Sequence, residues 1–134
     1  MNMELKDKKR TFFDSLKDCL RGIKNTYKTE ANFRREIIIG LLVIVGGLIL
    51  KLNVTEWIIV ILLIGLVLVC ELINTAIEKA VDLYTKKYNA AAKVIKDTSA
   101  GAVLTISITS AVIGIIIFIP KVIELIKELL WKKN

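Results

Sequence analysis

From Thr98 to Pro120 the chain runs 23 residues without a charged side chain, and this run constrains the fold more than any other feature. An α-helix crosses the roughly 30 Å hydrocarbon core of a bilayer with about 20 apolar residues, whereas a soluble helix of that length carries a polar stripe. Two shorter uncharged runs precede it, Ile37 to Leu50 and Trp57 to Cys70. The second continues apolar through Leu72, Ile73, Ala76 and Ile77, past Glu71. The first has 14 residues and reaches spanning length only with the turn from Phe33 and with Lys51 snorkelling to the surface. The expectation is an all-α integral membrane protein with three transmembrane helices, at about 33–52, 57–77 and 98–120, in a single domain over 1–134. A composition of 54% hydrophobic and 25% charged residues agrees with lipid as the solvent.

The net charge of +7 admits nucleic acid, an anionic membrane surface or an anionic substrate as partner. Most of the positive charges flank the apolar runs, which favours the membrane surface and gives no reason to expect nucleic acid. Residues 1–36 hold ten Lys and Arg and residues 78–97 hold five, against one at Lys51 and four after Pro120. With three spans the first two groups share one side, and the positive-inside rule places that side, with the N-terminus, in the cytoplasm. The first 36 residues are charged throughout and offer no apolar signal-peptide core, so the apolar runs themselves are expected to direct insertion.

Ahead of the first span, Phe12, Leu16, Leu20, Ile23 and Tyr27 recur at helical spacing while Lys17, Arg21, Lys24 and Lys28 take other faces. This predicts an amphipathic helix at about 11–29 lying on the cytoplasmic interface; packing on the bundle is the alternative use of such a face. The tail, 121–134, is amphipathic through Val122, Leu125, Ile126 and Leu129, and nothing in it points to a function.

The chain contains no histidine, so any chemistry runs on carboxylates, hydroxyls and lysines. Cys19 and Cys70 build neither a zinc site nor a disulfide framework by themselves. The informative stretch is Glu71 to Asp82. On a helix, Asn74, Glu78 and Asp82 fall at about −60°, −20° and +20° relative to Glu71, one polar stripe on an otherwise apolar element. With Trp57 at the outer interface, Glu71 lies roughly 21 Å inward, at the cytoplasmic edge of the hydrocarbon layer. Ionisable groups at such depth are costly and usually functional. Pairing of Glu71 with Arg34 or Lys96 to fix helix packing is the plainer alternative.

Carboxylates beside an amide suit two tasks, holding magnesium and taking a proton from a hydroxyl, and both occur in phosphoryl transfer. Glu71 and Glu78 stand about 10.5 Å apart along the axis, too far to share an ion, so another element must contribute. Glu30 and Glu36 are on the right side of the membrane. Lys93, Lys96 and Asp97 come to the entry of the third span, where a lysine can meet phosphate oxygens or merely flank the membrane. The run Thr98, Ser99, Ala100, Gly101, Ala102 is small enough for close helix packing. No Walker-type glycine loop or protein-kinase signature is present. A proton-relay or adaptor subunit is the competing class; it would spread acids across the bilayer, whereas these gather at one rim.

The segment Glu71-Leu-Ile-Asn-Thr-Ala-Ile-Glu-Lys-Ala-Val-Asp82, with Lys96-Asp97 fourteen residues on and Glu30-Ala-Asn-Phe-Arg-Arg-Glu36 before it, resembles the prokaryotic diacylglycerol kinase family over nearly the whole chain. The Asn-Thr-Ala-Ile-Glu, Ala-Gly-Ala-Val-Leu and Ile-Phe-Ile-Pro-Lys segments look like its Gram-positive branch, whose members phosphorylate undecaprenol rather than mainly diacylglycerol. The resemblance implies a homotrimer with active sites shared between protomers, using MgATP. It implies Glu71 as general base at the lipid hydroxyl, Glu30 and Glu78 on magnesium, and Lys96, Asp97, Asp82, Glu78 and Arg21 near nucleotide. Asn74, Glu36 and Ser99 would support the site or the substrate, and Gly22 falls nearby on the surface helix. Ala100 stands where the family has a serine and Arg21 where well-known members have a lysine; neither change touches the implied base or metal ligands.

Overall fold

The structure, a computed structural model, describes residues 11–132. The first ten residues of the expected single domain and the last two of the tail, 133 and 134, lie outside the described residues. Among the described residues the chain is four α-helices, α1 (Phe12–Thr29), α2 (Ala31–Ile49), α3 (Val54–Tyr84) and α4 (Ala90–Trp131). The helix α3 packs chiefly on α4 and less on α2, while α1 touches α2 and α3 near its own C-terminal end.

Three of the four helices, α1, α3 and α4, start where a side chain can replace the missing intrahelical acceptor, whereas Glu30 opens α2 without a side-chain cap. Thr11 and Asp14 form a reciprocal cap on α1, and Asn53 and Glu56 form one on α3. The Thr11 backbone N–H, then its hydroxyl, holds the Asp14 carboxyl below its usual range. Asn89 Oδ1 accepts from the Ala92 amide at 3.1 Å to open α4. Between α2 and α3 the backbone closes a Schellman motif: Leu52 N–H donates to the Gly47 carbonyl at 3.1 Å and Lys51 N–H to that of Leu48 at 3.3 Å. Lys51 takes the left-handed position there with φ 52°, a site that glycine usually fills. The turn is tight against Gly47, where a Cβ would come within 2.9 Å of both Leu52 and Trp57.

Two helices, α3 and α4, are long and apolar enough to cross a membrane. At 42 residues α4 is about 63 Å long, roughly twice a hydrocarbon core, so its ends project beyond it. It runs through Pro120, which removes one backbone hydrogen bond and which an otherwise apolar helix tolerates. The shorter α2 carries Arg34, Arg35 and Glu36 near its start, ahead of its 14-residue apolar run.

Burial is inverted relative to a water-soluble domain. Among the described residues only Phe33, Leu52 and Val60 are buried hydrophobic ones, whereas Thr26, Glu71, Asn74, Thr75 and Ser99 are buried polar ones. The apolar residues of α2, α3 and α4 point outward, as in a protein covered by lipid or by copies of itself. On α1, Phe12, Leu16, Leu20, Ile23 and Tyr27 are all exposed, so none of the other described residues covers its apolar face. That face is free to enter a membrane surface.

Candidate active site

The site is built around an elbow. Glu30 ends α1 and opens α2 in an extended conformation, and its N–H donates to the Thr26 carbonyl at 2.8 Å. Arg34, one turn into α2, donates to the last carbonyls of α1, at 2.9 Å to Tyr27 and 3.1 Å to Lys28. A guanidinium on two helix-terminal carbonyls is charge-assisted and satisfies groups the helix end leaves open. It therefore holds the elbow that carries Glu30. The Thr29 hydroxyl, 2.8 Å from Glu30 Oε1 and 3.2 Å from the Asn25 carbonyl, has one proton to give between them. Lys79 of α3 reaches across to Thr29 Oγ1 at 3.3 Å and Glu30 Oε1 at 3.6 Å. The elbow is thus tied to α3 one residue beyond Glu78.

On α3 the stripe has a buried and an exposed end. Glu71 is 3% exposed and Asn74 8%, Glu78 is half-buried, and Asp82 is open to solvent. Ser99 of α4 sits with its hydroxyl 2.6 Å from Asn74 Oδ1 and 2.9 Å from the Lys96 carbonyl. The Asn74 amide in turn donates to Glu78 Oε1 at 3.4 Å. Farther out, Lys96 Nζ lies 2.5 Å from Asp82 Oδ1. Together with Asp97, this pair lines a cavity of about 300 Å³ formed by the loop between α3 and α4, which also takes in Lys86, Lys87 and Lys93. The small-residue run lets α4 come close enough for Ser99 to reach Asn74, so Ser99 acts here through the amide.

The plainer alternative for Glu71 has no support in the geometry. Arg34 is occupied by α1 carbonyls and Lys96 by Asp82. What acts on Glu71 electrostatically is like charge: Glu78 and Glu30, while Glu36 in turn feels Glu71. Carboxylates of the elbow, α2 and α3 thus bear on Glu71 by like charge, beside the effect of its burial. Among the described residues no three acidic, histidine or cysteine side chains converge as a metal cage. Arg21 stays out of the cluster; it is exposed on α1 and pairs with Asp18. Gly22 beside it has open space around it.

The comparison with known families decides what this arrangement belongs to, because the model described as prokaryotic diacylglycerol kinase matches residues 17–118, most of the chain. The chain belongs to the prokaryotic diacylglycerol kinase family. An undecaprenol kinase of Bacillus subtilis (strain 168) is 44% identical over 110 residues, covering 82% of this chain and 89% of that protein. A diacylglycerol kinase of Synechocystis sp. is 34% identical over 105 residues, 78% of this chain and 60% of that one. A diacylglycerol kinase of Helicobacter pylori (strain J99) is 39% identical over 83 residues, 62% of this chain and 65% of that one. The protein is a lipid kinase, and its chemistry is to be sought among the residues just described.

Sequence reasoning passed over Lys79, Thr29 and Thr75. Thr75 is 4% exposed and lies about 40° round the helix from Glu71, so the periodicity that marks the stripe also marks it. Lys79 and Thr29 gave no such signal, since a bond spanning 50 residues depends on the elbow.

Proposed function

We propose that this lipid kinase transfers the γ-phosphate of ATP to undecaprenol at the cytoplasmic face of the bacterial plasma membrane. The observation that carries the chemistry is Glu71, buried to 3% exposure on an apolar helix and paired with no cation among the described residues. A carboxylate in that position can take the proton of a lipid hydroxyl whose chain remains in hydrocarbon. Asn74, held by Ser99, keeps Glu78 oriented, and Lys79 does the same for Glu30.

Magnesium fits this arrangement in one mode. Two separate carboxylates with no cage suit an ion that keeps water and takes its other ligands from phosphates, so Glu30 and Glu78 would hold it. Once bound, it neutralises charge on the transferring phosphoryl group. Lys96, Asp97 and Asp82, around the open cavity of the loop, are placed for nucleotide, and Lys96 would exchange Asp82 for phosphate oxygens.

The finer architecture follows the same reading: α2, α3 and α4 each span the membrane, α1 lies on the cytoplasmic surface, and three copies assemble with shared sites. The position of Arg21, away from the cluster of its own protomer, supports sharing, because a neighbour's α1 could bring it in. Glu36, half-buried beside Glu71, borders the lipid side of the site.

The likeness to the Bacillus undecaprenol kinase supports undecaprenol, and the diacylglycerol kinases of Synechocystis and Helicobacter support diacylglycerol as second acceptor. Purified protein in mixed micelles, given labelled ATP with each lipid side by side, tests the choice. Faster transfer to undecaprenol is expected. Transfer to diacylglycerol alone would reverse the assignment, and transfer to neither would remove lipid phosphorylation.

A further inference from the structure

Along its 31 residues α3 carries Glu56, Glu71, Glu78 and Asp82 but only one basic side chain, Lys79. Among the described residues its ammonium pairs with none of these four acids. It crosses to the elbow instead, where Nζ lies 3.3 Å from Thr29 Oγ1 and 3.6 Å from Glu30 Oε1. The Thr29 hydroxyl sits on the same carboxylate oxygen at 2.8 Å. Both contacts fall on Oε1, and among the described residues none falls on the other oxygen of Glu30.

As a structural tie the pair is poor. The Lys79 side chain is 46% exposed and that of Glu30 28%, and the ammonium stands beyond hydrogen-bond distance of the carboxylate. An ion pair so open to water adds little to stability. The elbow already has a better tie in Arg34, whose guanidinium holds two α1 carbonyls at 2.9 and 3.1 Å. What the weak pair can do is exchange, because a lysine ammonium is a mobile point charge on a flexible four-carbon stem. Its position gives that exchange a use. Glu30 is one of the two carboxylates proposed to hold magnesium, and Glu78, the residue before Lys79, is the other.

We propose that Lys79 is the resting counter-cation of Glu30 and passes to a phosphate oxygen when nucleotide arrives, so that the chain takes up its divalent cation together with nucleotide rather than ahead of it. This rests on the proposed assignment of Glu30 and Glu78 to magnesium and deepens it. While no nucleotide is bound, the positive charge beside Glu30 opposes a dication at the same carboxylate. A few ångströms apart in a water-exposed site, that repulsion lowers dication affinity about tenfold. A polyphosphate lifts the opposition, since it offers the ammonium an anion of higher charge and leaves Glu30 Oε1 free. Lys96 rests on Asp82 in a similar way. Lys79 differs in that its resting partner is itself a proposed ligand of the ion, so its departure changes what the carboxylate can bind.

The test uses the full chain in detergent micelles with manganese as the probe, the free ion being read by electron paramagnetic resonance in the absence of nucleotide. Lys79→Gln should tighten manganese binding about tenfold, and Lys79→Arg, which keeps the charge, should not. In activity assays KM for MgATP should rise in the Gln variant and return toward that of the unsubstituted protein in the Arg one. Adding Glu30→Gln to Lys79→Gln should cancel the gain in manganese binding. A Lys79→Gln protein that binds manganese no better, or more weakly, would overturn the role of Lys79; if Glu30→Gln alone still weakens binding, the metal assignment survives that loss. A gain that persists after Glu30→Gln would place the ion away from Glu30 and overturn the metal assignment together with the proposal.

Discussion

Ser99 Oγ on α4 lies 2.6 Å from Asn74 Oδ1 on α3, and this contact decides which way the buried amide faces. With the oxygen occupied, the amide nitrogen is left toward Glu78 Oε1, 3.4 Å away, so a hydroxyl on one helix orients a carboxylate on another. Ser99→Ala strands a buried carbonyl oxygen, which costs about 1–3 kcal/mol, and frees the amide to turn. Its expected effect is a loss of stability in that range together with weaker magnesium dependence. Ser99→Thr should restore much of both. Unfolding in increasing denaturing detergent and a magnesium titration of activity check the pair; an alanine variant with unchanged magnesium response would mean the amide is oriented by something else.

Glu30 and Glu78 make the sharper test of the metal reading. Each Gln substitution keeps the shape and removes the charge, and a neutral amide is a poor ligand for a hard dication. Both variants should lose activity at ordinary magnesium and recover part of it as magnesium is raised. Activity near that of the unsubstituted protein, with no magnesium effect, would place the ion elsewhere.

The acidic stripe was legible because helix geometry alone aligns Glu71, Asn74, Glu78 and Asp82, and because a charge in an apolar run stands out. The elbow was not. Nothing local to Glu30 says that Arg34 will cap α1 backward, or that Lys79 will reach Thr29, because both depend on where two helices cross. The amphipathic spacing of Val122, Leu125, Ile126 and Leu129 was legible as helix, but not its continuity with the span before it, because proline usually ends a helix whereas α4 runs through Pro120 to Trp131.

Lys51 carries a backbone strain that a single substitution should release. At φ 52° a side chain beyond glycine costs about 1–2 kcal/mol, partly offset because glycine loses more freedom on folding. Lys51→Gly should therefore raise stability by about 0.5–1 kcal/mol, and Lys51→Ala should not. Detergent-induced unfolding of the two variants makes the comparison. An alanine variant as stable as the glycine one would place the gain in the lost charge rather than the backbone.

Orientation is checked by labelling. Asn53 and Asn89 cap helices, so cysteines are better introduced at Thr55 and Tyr88, both exposed and neither a cap, after Cys19 and Cys70 have been replaced. In intact cells a membrane-impermeant thiol reagent should modify position 55 and spare position 88, because the charge asymmetry places the loop between α3 and α4 in the cytoplasm. The reverse pattern would put the acidic cluster outside, away from ATP.

In the proposed reaction Glu71 is the general base. A lipid alcohol is a weak nucleophile, and in phosphoryl transfer the protein mainly positions it, offsets phosphate charge and accepts the hydroxyl proton. Of the acids on the stripe, Glu71 is the most deeply placed: it is 3% exposed, while Glu78 is half-buried and Asp82 open to water. Among the described residues it also has no cation of its own, since Arg34 and Lys96 are engaged elsewhere. A carboxylate that were there for packing would be paired; one that must take a proton from a lipid has to remain available to it. Glu71→Gln keeps the volume and removes the base, and loss of a general base costs about 10² to 10⁴ in rate. The expected outcome is a fall in kcat of that order with KM for ATP nearly unchanged, read in a micelle assay at saturating lipid. A variant that turns over normally, or that fails because it no longer binds ATP, would show that the proton goes to another group.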